Sequence, residues 1–87
     1  MVILVLQRGW VAIGSLEREG PSLVLRRAAI IRRWGTTKGL GQLALEGPRP
    51  ETIVDPCGEL RAHELTVVLE LAVSSEAERA WTSRLDG

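Results

Sequence analysis

"LVLRRAAIIRRW", residues 23–34, decides the fold. Its doubled residues defeat strict alternation, and at helical spacing Leu23, Ile30, Ile31 and Trp34 would share one face, with Arg27 intruding. A helix here would leave the strands before it as a lone hairpin, which is marginal in water without a third strand. "LVL" and "II" favour β structure. The expectation is therefore two strand pieces, 22–26 and 29–34.

The segments on either side agree with that reading. "VILVLQ" (2–7) and "WVAIGSLE" (10–17) are rich in β-branched residues, and Arg8-Gly9 between them suits a two-residue hairpin connection. Gly14 inside the second run predicts a bend or bulge, and "REGPS" (18–22) is a turn by composition. Beyond residue 34, Thr36 or Thr37 would cap a short helix with Leu40, Leu43 and Ala44 on its apolar side and Gly47-Pro48 as its stop. "GPRPETIVDPCG" (47–58), with three of the four prolines, reads as an irregular connection. "HELTVVLELAV" (63–73) alternates most cleanly, with Leu65, Val67, Leu69, Leu71 and Val73 on one face. Ser75 and Glu78 fit a capping box for a last helix that carries Ala77, Trp81 and Leu85. This order predicts a mainly β fold, an SH3-like or Sm-like small β-barrel with a short internal helix over residues 1–73, followed by a C-terminal helical tail at 74–87.

A chain of 87 residues holds one domain, which buries little more than about 60 % of its unfolded surface. Leu, Ile and Val make up 26 positions, so the chain should fold, but without Phe or Tyr its aromatic content is Trp10, Trp34 and Trp81 alone. Such a lean core invites oligomerisation. A single cysteine excludes a disulfide framework and suggests the cytoplasm. The apolar opening is too short to cross a bilayer, so no membrane partner is expected. Net charge is zero, yet residues 20–45 carry Arg26, Arg27, Arg32, Arg33 and Lys38 without an acid, a block of +5. Residues 46–87 carry nine acids against four arginines, a block of −5.

"GTTKGLG" (35–41) lacks the spacing of a phosphate-binding P-loop and of a dinucleotide-binding turn. What remains is an anion site at the amides around residues 36–40, or a plain corner between strand and helix. Arg26, Arg27, Arg32 and Arg33 beside Trp34 suit either a nucleic-acid backbone with a stacked base or ion pairs with the acidic block. Cys57 and His63 are the sole residues of their kinds, too few for a structural zinc site. A Cys57–His63 dyad is the only nucleophilic pairing open to the chain. No cofactor or metal is expected.

Ile31, Trp34-Gly35-Thr36-Thr37, Gly39-Leu40-Gly41, Gly47-Pro48, Thr52 and Asp55-Pro56-Cys57-Gly58 form a pattern WGTTxGLGxxAxxGP…DPCG. It resembles the signature of a small uncharacterised family found in bacterial and phage genomes. With its flanking strands the resemblance spans about residues 3–73. It implies a phage or prophage origin and no activity.

The resulting expectation is a non-enzymatic, homo-oligomeric protein, in the form of a ring if its contacts close, assembled through strand edges, the terminal helix and the two charge blocks. Arg32, Arg33, Trp34 and Trp81 are its expected contact residues. The alternative is a nucleic-acid-binding barrel that uses Arg26, Arg27, Arg32, Arg33 and Lys38, and a third is a binder of a host protein.

Overall fold

The computed structural model describes residues 1–86, so the last residue of the expected tail, Gly87, lies outside the described residues. Strands β1 (Val2–Leu6), β2 (Val11–Glu19), β3 (Ser22–Arg33), β4 (Ile53–His63) and β5 (Val67–Ala72) form one antiparallel sheet in the order β4-β3-β2-β1-β5. Helix α1 (Gly41–Glu46) joins β3 to β4, and α2 (Ser75–Asp86) ends the chain. Among the described residues no ladder joins β4 to β5, so the sheet is open.

The segment in doubt is one strand with a defect. Leu25 pairs with Leu60 and Ala28 with Gly58, which leaves a bulge at Arg26–Arg27 where Arg27 takes a left-handed φ of 52°. Alternation fails because β3 is central and buried on both faces, and the bulge shifts its phase midway. Ala29 and Ile31 enter one apolar cluster, while Leu23, Leu25 and Ala28 enter another. Gly14 of β2 faces the bulge, where a Cβ would stand 3.0 Å from the Arg26 carbonyl oxygen and 3.0 Å from the Leu25 Cβ. The bend expected at Gly14 is thus a close approach of two backbones.

Both helices cover the first face. Leu43 and Ala44 of α1 and Ala77 and Trp81 of α2 pack with Ile3, Val11, Ile13, Ala29 and Ile31. The Trp81 indole Nε1 donates to the Leu43 carbonyl at 2.8 Å, and Arg84 donates to the carbonyls of Thr52 and Arg49 at 3.0 and 2.9 Å. The second cluster, Leu4, Ala12, Leu23, Leu25 and Ala28, receives no helix. Leu60 of β4 and Val67 of β5 both pack against it, although their strands stand at opposite ends of the sheet order. The sheet therefore curls over this face, and a 3₁₀ turn at Glu64–Thr66 carries the chain from one edge to the other.

Several local expectations need correction. The first hairpin turns through Gln7–Trp10, wider than Arg8-Gly9 alone, with Leu6 N–H donating to the Trp10 carbonyl. No threonine caps α1, whose preceding residue is Leu40. The irregular stretch ends at Thr52, because Asp55-Pro56-Cys57-Gly58 lies inside β4 and its extra residue is absorbed as a bulge. Leu65 sits in the 3₁₀ turn, so β5 begins two residues later. The cap of α2 is Ser74, whose Oγ accepts from Ala77 N–H at 3.0 Å, while Glu78 meets the N-terminal amine at 3.4 Å.

Candidate interaction surface

The basic segment does not form one face. Arg26 lies 3.1 Å from Glu17 and 2.7 Å from Glu59, Arg27 meets Asp86, and Arg32 makes a two-point contact with Asp55 at 2.9 and 3.2 Å. The paired guanidinium of Arg32 holds the Asp55 carboxyl below its ordinary range. Three contacts between the basic and acidic blocks, Arg26–Glu59, Arg27–Asp86 and Arg32–Asp55, are thus made within one chain. All three arginines are solvent-exposed, so these pairs add little to stability. Arg33 and Lys38 have no ion pair among the described residues, and Trp34 beside them is exposed.

Trp81 stands apart from these residues. It has 0 % of its surface exposed and lies inside its own chain's core, so the contact role expected of it has no surface to act through. The terminal helix spends its aromatic residue on the sheet, where Trp81 is the largest buried side chain beside Ile3, Ile13 and Leu43.

"RRWGTTKGLGQL" (32–43) is a built corner. Gln42, 8 % exposed, accepts at Oε1 from the backbone N–H groups of Thr37 and Lys38, both at 3.1 Å. Those two amides are occupied, which takes from an incoming anion two of the donors expected at residues 36–40. Thr52 Oγ1 donates to the Trp34 carbonyl at 2.6 Å and accepts from Arg49 N–H at 2.8 Å, so Trp34, Gly35 and Thr52 of the quoted pattern sit together for structural reasons. Gln42→Ala strips both amides of their acceptor and should cost about 1–3 kcal/mol. Urea unfolding measures this, with Gln42→Glu, which keeps an acceptor, as the milder variant.

Cys57 and His63 are separated by six residues of β4, about 20 Å at the rise of a strand, so the dyad does not form. Burial pushes the Cys57 thiol up, away from the thiolate, and His63 Nδ1 accepts from Leu65 N–H at 3.1 Å. Among the described residues no group of three His, Cys, Asp or Glu side chains is placed to hold a metal ion. Among the described residues no helix is long and apolar enough to cross a membrane.

The surface that stands out was not foreseen as a unit. Trp10 is 58 % exposed, Leu65 77 %, Val68 61 % and Leu69 53 %, and the register gathers them at one end of the sheet. Val5 pairs with Leu69 and Leu6 with Val67, while Gln7 Nε2 donates to the Leu65 carbonyl at 3.3 Å. Beside them a shallow cleft of about 360 Å³ runs from Arg8 and Trp10 over Ile30 to Arg32 and Asp55. Residues 10 and 65–69 are far apart in the chain, and only the β1–β2 turn and the β1–β5 ladder bring them together.

The two sheet edges differ in kind. β4 carries Pro56, a bulge and the charges of Asp55, Glu59 and Arg61, all of which discourage further pairing. β5 reads "VVLELA", its one charge, Glu70, held by Arg18 at 2.8 Å. Neither a protein-family model nor a curated protein matches the chain.

Proposed function

We propose that this is a non-enzymatic, self-assembling interaction protein, a small SH3-like or Sm-like β-barrel left open between β4 and β5 that associates with copies of itself through an apolar edge. The observation that carries the reading is the unprotected edge of β5, with Val68 and Leu69 exposed on it. An edge of this kind templates pairing with another chain unless something covers it. A small domain with three tryptophans, one spent on its own core, also gains from sharing apolar surface. The lone thiol favours a reducing compartment such as the cytoplasm, and a phage or prophage origin rests on the sequence resemblance alone.

Light scattering at low and high salt, with the ultraviolet absorbance ratio recorded for bound nucleic acid, tests this. The expected result is a discrete oligomer free of nucleic acid whose mass does not fall as salt rises, because apolar contact is not screened. A monomer overturns the reading. A monomer carrying nucleic acid that salt removes would transfer the function to Arg33, Lys38 and Trp34.

A further inference from the structure

We infer that β5 pairs antiparallel with β5 of a second copy about a two-fold axis at Leu71, an inference that rests on the self-assembly reading above. Val73 N–H donates to the Met1 carbonyl, and this phase makes Ile3–Leu71 and Val5–Leu69 the hydrogen-bonded pairs of the β1–β5 ladder. The backbone groups of Glu70 and Ala72 then point outward, onto the free edge.

That edge is bounded at both ends. At Val68 the ladder slips, with Val5 opposite Leu69 and Leu6 opposite Val67, so the strand bends there. At Ser74 the next outward N–H is already taken by the Ala44 carbonyl of α1 at 2.9 Å. What remains is the stretch 69–73, whose midpoint is Leu71. An antiparallel copy of the same stretch fits it over its full length only when the axis passes through that residue.

Charge selects the same register. Strands paired about an axis perpendicular to the sheet keep their faces, so the axis must pass through a residue and not between two. An axis at Glu70 would set two carboxylates directly opposite each other, which is unfavourable. With the axis at Leu71, Glu70 lies opposite Ala72 of the second copy, and these two pairs supply four backbone hydrogen bonds. Leu69 lies opposite Val73 of the second copy. Leu45 of α1 is 67 % exposed, and its carbonyl accepts from Ser74 Oγ at 2.9 Å, so it flanks the far end of the edge. The two-fold brings that end over the Val68 bulge of the other copy, which covers exposed apolar groups at both ends at once. Such pairing is isologous and closes at two chains, so it forms a dimer and not the ring.

Oxidative cross-linking on a Cys57→Ser background tests the register. Directly paired β positions lie about 4.5–5.5 Å apart, within disulfide reach. Chains with Glu70→Cys mixed with chains with Ala72→Cys should give a cross-linked species of twice the chain mass, and Glu70→Cys alone should give none. Self-linking of Glu70→Cys would move the axis and overturn the inference. An oligomer by light scattering in which the mixture does not cross-link would also overturn it, while self-assembly stood. A monomer by light scattering would remove both.

Discussion

Replacing Trp81 with alanine should remove a large part of the protein's stability margin while leaving no direct mark on any contact between chains. Removal of a fully buried tryptophan costs about 3–5 kcal/mol, through lost transfer energy and the cavity left behind. The whole domain is held by roughly 4–13 kcal/mol at the per-residue stability usual for its size. The indole sits between α1, α2 and the sheet with no surface exposed, and no other large side chain of α2 is buried with it, since only Ala77 joins it there. Its hydrogen bond matters less than its volume. The Leu43 carbonyl also accepts from Gly47 N–H at 3.1 Å, so loss of the indole donor does not leave it unsatisfied. Trp81→Phe should therefore lose much less than Trp81→Ala. Urea unfolding followed by circular dichroism decides the matter. An unchanged midpoint for Trp81→Ala would mean that α2 does not dock as described.

That expectation differs from the one the sequence suggested, and the reason is physical. Four-residue spacing in "SSEAERAWTSRL" identified a helix with a single apolar stripe, but spacing cannot say whose surface the stripe meets. Its location was settled by a shortage elsewhere. Ala29, Ala44 and Ala77 are small, and Trp81 is the largest side chain of the cluster they share. The β elements were legible where one face is polar or the turn chemistry is strong, as in the first hairpin. They were harder to read in β3, where burial on both faces and the Arg27 bulge erased the alternation. β5 was misread at its start because Leu65 keeps the alternating pattern while its backbone belongs to a 3₁₀ turn.

The candidate surface was legible in part. Composition marked Arg26, Arg27, Arg32 and Arg33 as cations without local acids, and Arg26 and Arg32 found acids on β4, the strand that pairs with β3. Separation in sequence therefore did not mean separation on the surface. Trp10, Leu65, Val68 and Leu69 gave no signal as a group, since nothing in the chain announces that residue 5 will lie opposite residue 69. The contrast between the two edges could have been found: Pro56 and the charges of β4 against the nearly uncharged "VVLELA" is a difference in composition.

Two glycine substitutions separate steric from torsional requirements in the corner at residues 34–41, and the first should have the second-largest effect in the protein. Gly35 and Gly39 both adopt left-handed φ, 66° and 82°. An L-residue there costs about 1–2 kcal/mol from backbone sterics alone. At Gly39 nothing lies within 4 Å of an added Cβ, so Gly39→Ala should cost no more than that. At Gly35 the Cβ would stand 2.5 Å from the Glu51 carbonyl carbon and 2.7 Å from Thr52 N. Both are backbone atoms that no rotamer change can move. Thr52 is fixed in turn by its hydroxyl contacts with Trp34 and Arg49 and by Arg84 at its carbonyl. Relief would have to shift the 49–52 loop and loosen α2 with it, so overpacking adds roughly 1–3 kcal/mol and the total for Gly35→Ala comes to about 2–5 kcal/mol. Equal urea midpoints for the two variants would show that the loop yields freely and that conformation alone matters. A Gly35→Ala deficit at least twice that of Gly39→Ala would show that the tryptophan–glycine pair is kept for the closeness of the 49–52 loop, which makes this part of the quoted motif a folding device and leaves the interaction surface to the other end of the sheet.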